Sequence, residues 1–308
     1  MRRLGAVILT HNSDDDLPES LAGLLAQRGV LLDIIIVDNA SCPARLERMR
    51  NAFRAALPAG HHIEAGADAP GGYSCGDGVF ITNPVNSGYS AGNNLGARLA
   101  VALGSEAVLI VNPDVRIAAS DHLLRLSDAL FRDEQTAVAG PAIRNLGGMN
   151  ENPMFEPSFL QELLAPLLMA AAILPVRRGR NRQAPRRRDE AVVKLSGCCF
   201  LVRRSFLEEI GYFDQNVFLY CEEAILAAQM RKAGRRSAYV ADLEAIHAHR
   251  PSTKGDPARR QRLWSRSRRY YHARYLGYGK VRRTALAISH ALVIALSWAQ
   301  SRVSGGAG

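Results

Sequence analysis

Along the first half of this chain, apolar runs of strand length alternate with stretches whose apolar residues recur at helical spacing. That rhythm admits few folds, because it is how a parallel sheet with crossover helices is encoded. Ala6 to Thr10 reads as the first strand. Asp16, with Glu19 three residues later, marks a helix start, and Leu17, Leu21, Leu24 and Leu25 fall on one face of that helix. Asp33 to Val37 is the second strand and ends in Asp38-Asn39-Ala40-Ser41. Residues 57 to 78 carry no periodicity and read as an exposed insertion before the short strand Val79 to Thr82. A helix from Asn93 to Leu103 leads into a strand over Ala107 to Val111. The pattern returns later with a long strand over Val192 to Val202 and helices over Arg204 to Ile210 and Glu222 to Ala233, the last capped by Gly234. With 308 residues at 47% hydrophobic content, one large core, or a core plus an appendage, is affordable. The expected class is α/β, with a mostly parallel central sheet and flanking helices.

The formal charge of +10 comes from arginine concentrated in two places, which points to local anionic partners. Five cysteines (Cys42, Cys75, Cys198, Cys199, Cys221) form no C-x-x-C pair and are odd in number, which argues against a disulfide framework or zinc site and fits a reducing cytosol. The N-terminal apolar run meets His11-Asn12 and an acidic cluster in place of a cleavage site, so it reads as a strand and not as a signal peptide. Phe159 to Val176 is apolar apart from Gln161 and Glu162, but Pro166 and Pro175 interrupt it. It runs into seven arginines within residues 177 to 188. Two readings stand level: a segment lying on an anionic membrane, or a core helix followed by a solvated basic loop. The end of the chain is rich in Arg, Tyr and Trp, and Ala285 to Trp298 reads as an amphipathic helix docked on the domain, a partner subunit or a bilayer.

Polar groups gather at strand ends, where open α/β sheets place ligands. Asp38 suits hydrogen bonds from a ribose or base. Asn86 to Gly96 opens a helix with small residues and amides, which can approach a diphosphate or simply make a turn. Asn112-Pro113-Asp114 is good turn chemistry, and its lone carboxylate is also placed to hold a hard divalent cation. Tyr220-Cys221-Glu222-Glu223 sets two carboxylates at a helix start, where the dipole favours an ionised proton acceptor.

These segments, in this order, resemble the family 2 glycosyltransferases of the GT-A fold, within a rhamnosyltransferase-like branch. The resemblance rests on Val7 to Asn12, Ile36 to Ser41, Asn86 to Gly96, Asn112 to Val115, Ser196 to Arg204, Gly211 to Glu223 and Ile246-His247, and so covers about residues 4 to 250. It implies a GT-A domain over residues 1–255, with residues 157–190 as a membrane-proximal insertion and 256–308 as a basic-aromatic helical segment. It also implies that Thr10, Asn12 and Asp38 contact the nucleoside of a nucleotide-sugar and that Asn86, Gly88 and Asn93 line the donor pocket. Asp114, with His247 or alternatively His249, would hold Mg²⁺ or Mn²⁺, and Glu223 would be the catalytic base with Glu222 as the preceding acid.

The expected activity is inverting, metal-dependent transfer of rhamnose or a related sugar to a polyprenyl-linked or saccharide acceptor in cell-surface polysaccharide synthesis. The expected place is the cytoplasmic face of the cell membrane, with an anionic membrane surface as partner and no nucleic acid; a homodimer is left open. Two departures from the family pattern, Glu in place of Asp at the base and Ile225 where an acidic residue is usual, support a second reading as a noncatalytic scaffold. Nucleic-acid binding by the interleaved Arg and aromatic residues between Arg259 and Tyr271 ranks below both.

Overall fold

A computed structural model describes residues 1–173, 192–249 and 257–305. The seven arginines of residues 177–188 and the junction at 255–256 lie outside the described residues. The N-terminal half is built of β1 (Arg3–Thr10), α1 (Leu17–Leu25), β2 (Leu31–Asn39), α2 (Pro43–Ala56), β3 (His61–Glu64), β4 (Val79–Asn83), α3 (Tyr89–Ala102), β5 (Ala107–Val111) and β6 (Val115–Arg116). There follow α4 (His122–Phe131), β7 (Thr136–Asn145), α5 (Phe159–Leu163), α6 (Ala165–Ile173), β8 (Cys199–Arg203), α7 (Arg204–Ile210) and α8 (Glu222–Lys232). The chain closes with β9 (Arg236–His247), α9 (Pro257–Arg274) and α10 (Lys280–Gly305).

The strands form one sheet in the order β3-β4-β2-β1-β5-β8-β7-β9-β6. Pairing is parallel from β3 to β5 and between β7 and β9, while β8 runs antiparallel to both neighbours. Both faces of the sheet are covered, which is why its inner strands are nearly continuous in Val, Ile and Leu. Leu4, Ile8, Ile36, Phe53 and Phe80 fill one side, and Val7, Ile35, Val37, Val108 and Phe206 the other. Each such side chain, withdrawn from water, contributes about 1.5–3 kcal/mol. Thr10 pairs with Asp38 in the β1–β2 register, so both strands end at the same edge.

Four local expectations change. Residues 57–78 contain an edge strand, β3, which its short alternation of half-buried and exposed residues hid from view. The strand expected over Val192 to Val202 is ordered as β8 only from Cys199; Leu195 instead packs across Gly140, and Ser196 donates its N–H to Asn152. The helix expected from Asn93 starts four residues earlier, at Tyr89, after the positive-φ turn at Gly88. Asp16 makes no capping hydrogen bond at α1, because Asp16 and Glu19 both pair with Arg116.

The C-terminal helices pack onto the domain. Tyr271 of α9 is buried with Ile225 and Ala224 of α8, and the Tyr270 and Tyr275 hydroxyls both donate to Asp214 Oδ2, at 2.7 and 2.6 Å. Glu162 of α5 is 4% exposed and accepts from Arg268 at 2.6 Å and His290 at 2.8 Å, with His272 Nε2 at 3.1 Å. Those partners come from α9 and α10, so one carboxylate ties three helices together. Among the described residues no helix is long and apolar enough to cross a membrane.

Candidate active site

The turn after β5 is the pivot of the site. Asn112 donates its N–H to Cys198 O, Val115 donates back to Asn112 O, and the two-residue β6 pairs antiparallel with the end of β9, Val115 opposite His247. Asp114 O accepts from Ala248 N at 2.8 Å. His247 and His249 flank Ala248, and alternate residues of an extended chain point the same way, so both imidazoles turn toward Asp114. His247 Nε2 lies 3.5 Å from Asp114 Oδ1, and His249 Nδ1 lies 3.4 Å from Oδ2. The two rings stack at 5.4 Å. One ligand atom from each of the three residues falls within 4.8 Å of the others. The turn and the metal readings of Asn112-Pro113-Asp114 are therefore one arrangement, in which the turn presents the carboxylate.

Burial pushes the Asp114 carboxyl up, but the hydrogen bonds and charge of His247 and His249 outweigh it and hold the group below its usual range. Burial likewise pushes His247 down, while Asp114 and Glu151 more than compensate. Glu151 Oε2, 3.3 Å from His247 Nδ1, fixes the ring so that Nε2 faces Asp114. Asp114 Oδ1 is buried and has no hydrogen-bond partner.

Glu222 and Glu223 line a cavity of about 410 Å³ together with Asn112, Ser196, Gly197 and His247. Both carboxylates begin α8, whose entry is bent by positive φ at Tyr220 (72°) and Cys221 (76°). Burial, and then the neighbouring Glu223, push Glu222 up to about 8 and favour its protonated form. Its Oε1 is buried without a partner. Gly197 leaves room for this pair: a Cβ there would lie 3.2 Å from Glu223 Oε1. The Tyr89 hydroxyl donates to Gly197 O and is the third group at this wall. Its acidity is suppressed first by burial and then by the two glutamates. Ile225, two residues after Glu223, is 2% exposed against Tyr271. An apolar residue there is what the docking of α9 requires.

The other residues singled out from sequence gather at the ends of β1, β2 and β4, with Asn93 inside α3. Thr10 is fully buried and donates to Val37 O at 3.2 Å. Asn12, at φ 57°, accepts from Cys42 N through its side chain and receives Arg45 on its carbonyl. Asp38 is 1% exposed; its Oδ2 accepts from Ser41 N and its Oδ1 has no partner. Asn86 accepts from both Asn39 Nδ2 and Gly88 N and so shapes the turn. Gly88 sits at φ 91°, where a Cβ would meet Phe218 O at 2.4 Å, and the next N–H, of Tyr89, bonds that same oxygen. Asn93 is fully buried, donates to Tyr89 O and leaves Oδ1 unpartnered. Asn86, Gly88 and Asn93 do not line the cavity between His247 and Glu223. Their turn packs against the segment that leads into Glu222.

Sequence reasoning left out Asn39, Tyr89 and Glu151. Asn39 joins Asn83, Asn86 and Ser87 in one amide network. Its neighbour Asp38 was the only available signal.

The curated relatives each match about half the chain. The low-salt glycan biosynthesis hexosyltransferase Agl10 of Haloferax volcanii is 28% identical over 171 residues, 54% of this chain and 51% of the relative. An N-acetylglucosaminyl-diphospho-decaprenol L-rhamnosyltransferase of Mycobacterium tuberculosis is 33% identical over 156 residues, 49% of this chain and 50% of the relative. The chain thus spans about half the length of the curated relatives it matches. Among solved structures, the mannosyltransferase PcManGT from Pyrobaculum calidifontis, in complex with GDP-Man and Mn²⁺, superposes with a TM-score of 0.59 at 15% identity, covering 100% of this chain and 76% of that one. S. aureus TarS 1-349 gives 0.51 at 13% identity, over 94% and 70%. At such identities the likeness is one of fold, and that fold is GT-A. The sequence profile of Glycosyl transferase family 2 matches residues 6–211, more than half the chain, and the chain belongs to that family.

Proposed function

We propose that this chain is an inverting, metal-dependent glycosyltransferase that takes a hexose or deoxyhexose from a nucleotide-sugar and places it on a polyprenyl-linked or saccharide acceptor. It would act at the inner face of the cell membrane, in cell-surface polysaccharide synthesis. The observation that carries the reading is that His247, from the Asp114 cluster, and the Glu222-Glu223 pair line one cavity. The names of the Haloferax and Mycobacterium relatives support sugar transfer, and the latter's supports a polyprenyl diphosphate acceptor.

The donor set fits a divalent cation, because Asp114 Oδ1 is buried without a hydrogen-bond partner and the imidazoles of His247 and His249 converge on the carboxylate, one toward each oxygen. Asp114, His247 and His249 would hold it. Two nitrogen donors favour Mn²⁺ over Mg²⁺, which prefers oxygen, and the GDP-Man and Mn²⁺ of the PcManGT complex accord with that choice. When bound, the cation neutralises the charge that develops on a departing nucleoside diphosphate.

The chain's own residues do the rest. Asp38 Oδ1 accepts a hydrogen bond from the nucleoside. Glu223 takes the proton of the acceptor hydroxyl on the side opposite the leaving group, and Glu222, carrying its own proton, donates a hydrogen bond into the cavity. Tyr89 and Gly197 hold the wall that aims Glu223.

Release of nucleoside diphosphate from a panel of nucleotide-sugars, dTDP-rhamnose and GDP-mannose among them, tests the reading. Turnover of one donor that EDTA abolishes and Mn²⁺ restores is expected; turnover indifferent to EDTA would overturn the metal assignment. Glu223→Gln is expected to lower kcat by about 10²–10⁴-fold while leaving nucleotide binding in place.

A further inference from the structure

Helix α10 is partly inverted, burying polar residues beside the fully buried Leu286. Its inward face carries Ser289, His290 and Ser297, at 3%, 2% and 8% exposure, with His290 on Glu162 Oε1 and Ser289 on Glu162 O. Its outward face carries Val281, Ile288 and Leu292 at 84%, 58% and 52% exposure. Those three recur at i, i+7 and i+11, which is one stripe of a helix. Helices α5 and α6 pack against α10 and repeat the inversion: Glu162 is buried, while Leu160, Leu164, Leu167 and Leu168 are 44–67% exposed. Scattered exposed apolar residues need no explanation, but a contiguous set over buried polar groups does.

Beside the stripe, a groove between α9 and α10 is lined by Arg266, Arg269, Lys280, Arg283 and Ile288. The segment from residue 257 to the end of the chain contains no Asp or Glu. A second copy meeting this face across a two-fold axis would set Arg and Lys against Arg and Lys, which is repulsive. An anionic bilayer meets both demands: acyl chains for the leucines, headgroups for the groove.

We infer that the outer face of α6 and α10, with the cationic groove between α9 and α10, seats the protein on an anionic lipid bilayer. The inference deepens the membrane partner named under the proposed function by assigning it a surface. The apolar stripe supplies shallow insertion and the basic groove supplies electrostatic attraction, the two signals that stable peripheral binding needs. Trp264 and Arg268 of α9 line the cavity that holds Glu222 and Glu223, so the helix that forms one side of the basic groove also walls the site where a lipid-linked acceptor would enter.

Flotation of the full chain with vesicles tests this without any substrate. Vesicles of phosphatidylcholine and phosphatidylglycerol at 7:3 are compared with pure phosphatidylcholine, at about 0.15 M and about 0.5 M salt, a range over which the Debye length falls well below 8 Å. At least tenfold stronger flotation on the anionic vesicles is expected, weakened by salt. The double variant Ile288→Glu with Leu292→Glu is expected to lose about tenfold or more in vesicle binding while keeping its melting temperature, and Arg269→Gln with Arg283→Gln to lose the preference for anionic lipid. Asp114→Ala should float as the wild type does, so failure of the catalytic reading leaves this result untouched. Equal binding to both vesicle types, or glutamate variants that float undiminished, would overturn it. So would light scattering that shows a dimer dissolved by Ile288→Glu and Leu292→Glu, which would assign the face to a second copy.

Discussion

At the scale of single residues, the account turns on where charge is allowed to stay. Glu222, buried beside Glu223, has its carboxyl raised from 4.5 to about 8. A raised acid binds more protons when folded than unfolded between those values, so its contribution falls as pH rises through that window. Glu222→Gln is therefore expected to match the wild type near pH 4 and to melt higher at pH 8.5 and above. A gain of about 1 kcal/mol or more, roughly 2–4 °C, would be read by differential scanning across pH. A stability gain independent of pH would contradict the assignment of the buried proton. Sequence reached Asp114 and His247 through their motifs and left His249 as an alternative to His247, whereas the structure gathers all three. It could not reach Tyr89, whose hydroxyl meets a carbonyl 108 positions away. Glu151 was hidden for the same reason: the ring it orients is 96 positions on.

At the scale of elements, short pieces set the geometry. Two residues of β6 suffice to bring Asp114 to the end of β9, and no periodicity signals a strand of that length. The turn at Gly88 is readable from sequence as a diphosphate approach or as a simple turn, because glycine and amides serve both; in the structure its close neighbour is the Phe218 backbone, which leads toward α8. Gly88→Ala puts a side chain at φ 91° and within 2.4 Å of a carbonyl oxygen. It is expected to cost about 1–3 kcal/mol and, by shifting the approach to Glu222, to lower kcat more than donor affinity. Thermal denaturation with steady-state kinetics checks both. Ile225 is the opposite case, a departure from the family pattern that its packing against Tyr271 explains.

For the whole molecule, the parallel half of the sheet was plain from the alternation of apolar runs and helices. The C-terminal half was less so, because α10 buries Ser289, His290 and Ser297 and an amphipathic pattern alone does not say which face is in. What orients it is Glu162, whose carboxyl burial pushes up but His272, His290 and Arg268 together hold far below its ordinary value. A depressed carboxylate stabilises fully above its unfolded value near 4.5 and loses that contribution progressively as pH falls from there through its lower folded value. Glu162→Leu leaves the buried Arg268 with Glu156 as its carboxylate and takes the shared acceptor from His272 and His290, and is expected to cost about 3–5 kcal/mol. Adding Arg268→Met should recover much of that loss and flatten acid unfolding, which denaturant titrations at pH 4 and 7 would show. Equal loss in single and double variants would mean that the cluster does not bind the helices together.

The central claim is that Asp114, His247 and His249 form a metal-dependent donor site. Isothermal titration of the wild type and Asp114→Ala with a nucleoside diphosphate, each with and without Mn²⁺, tests it most directly. The expected result is binding by the wild type that requires Mn²⁺ and weakens by about tenfold or more, at least 1.4 kcal/mol, in Asp114→Ala. Binding of equal strength in both proteins, or binding by the wild type that ignores Mn²⁺, would contradict it.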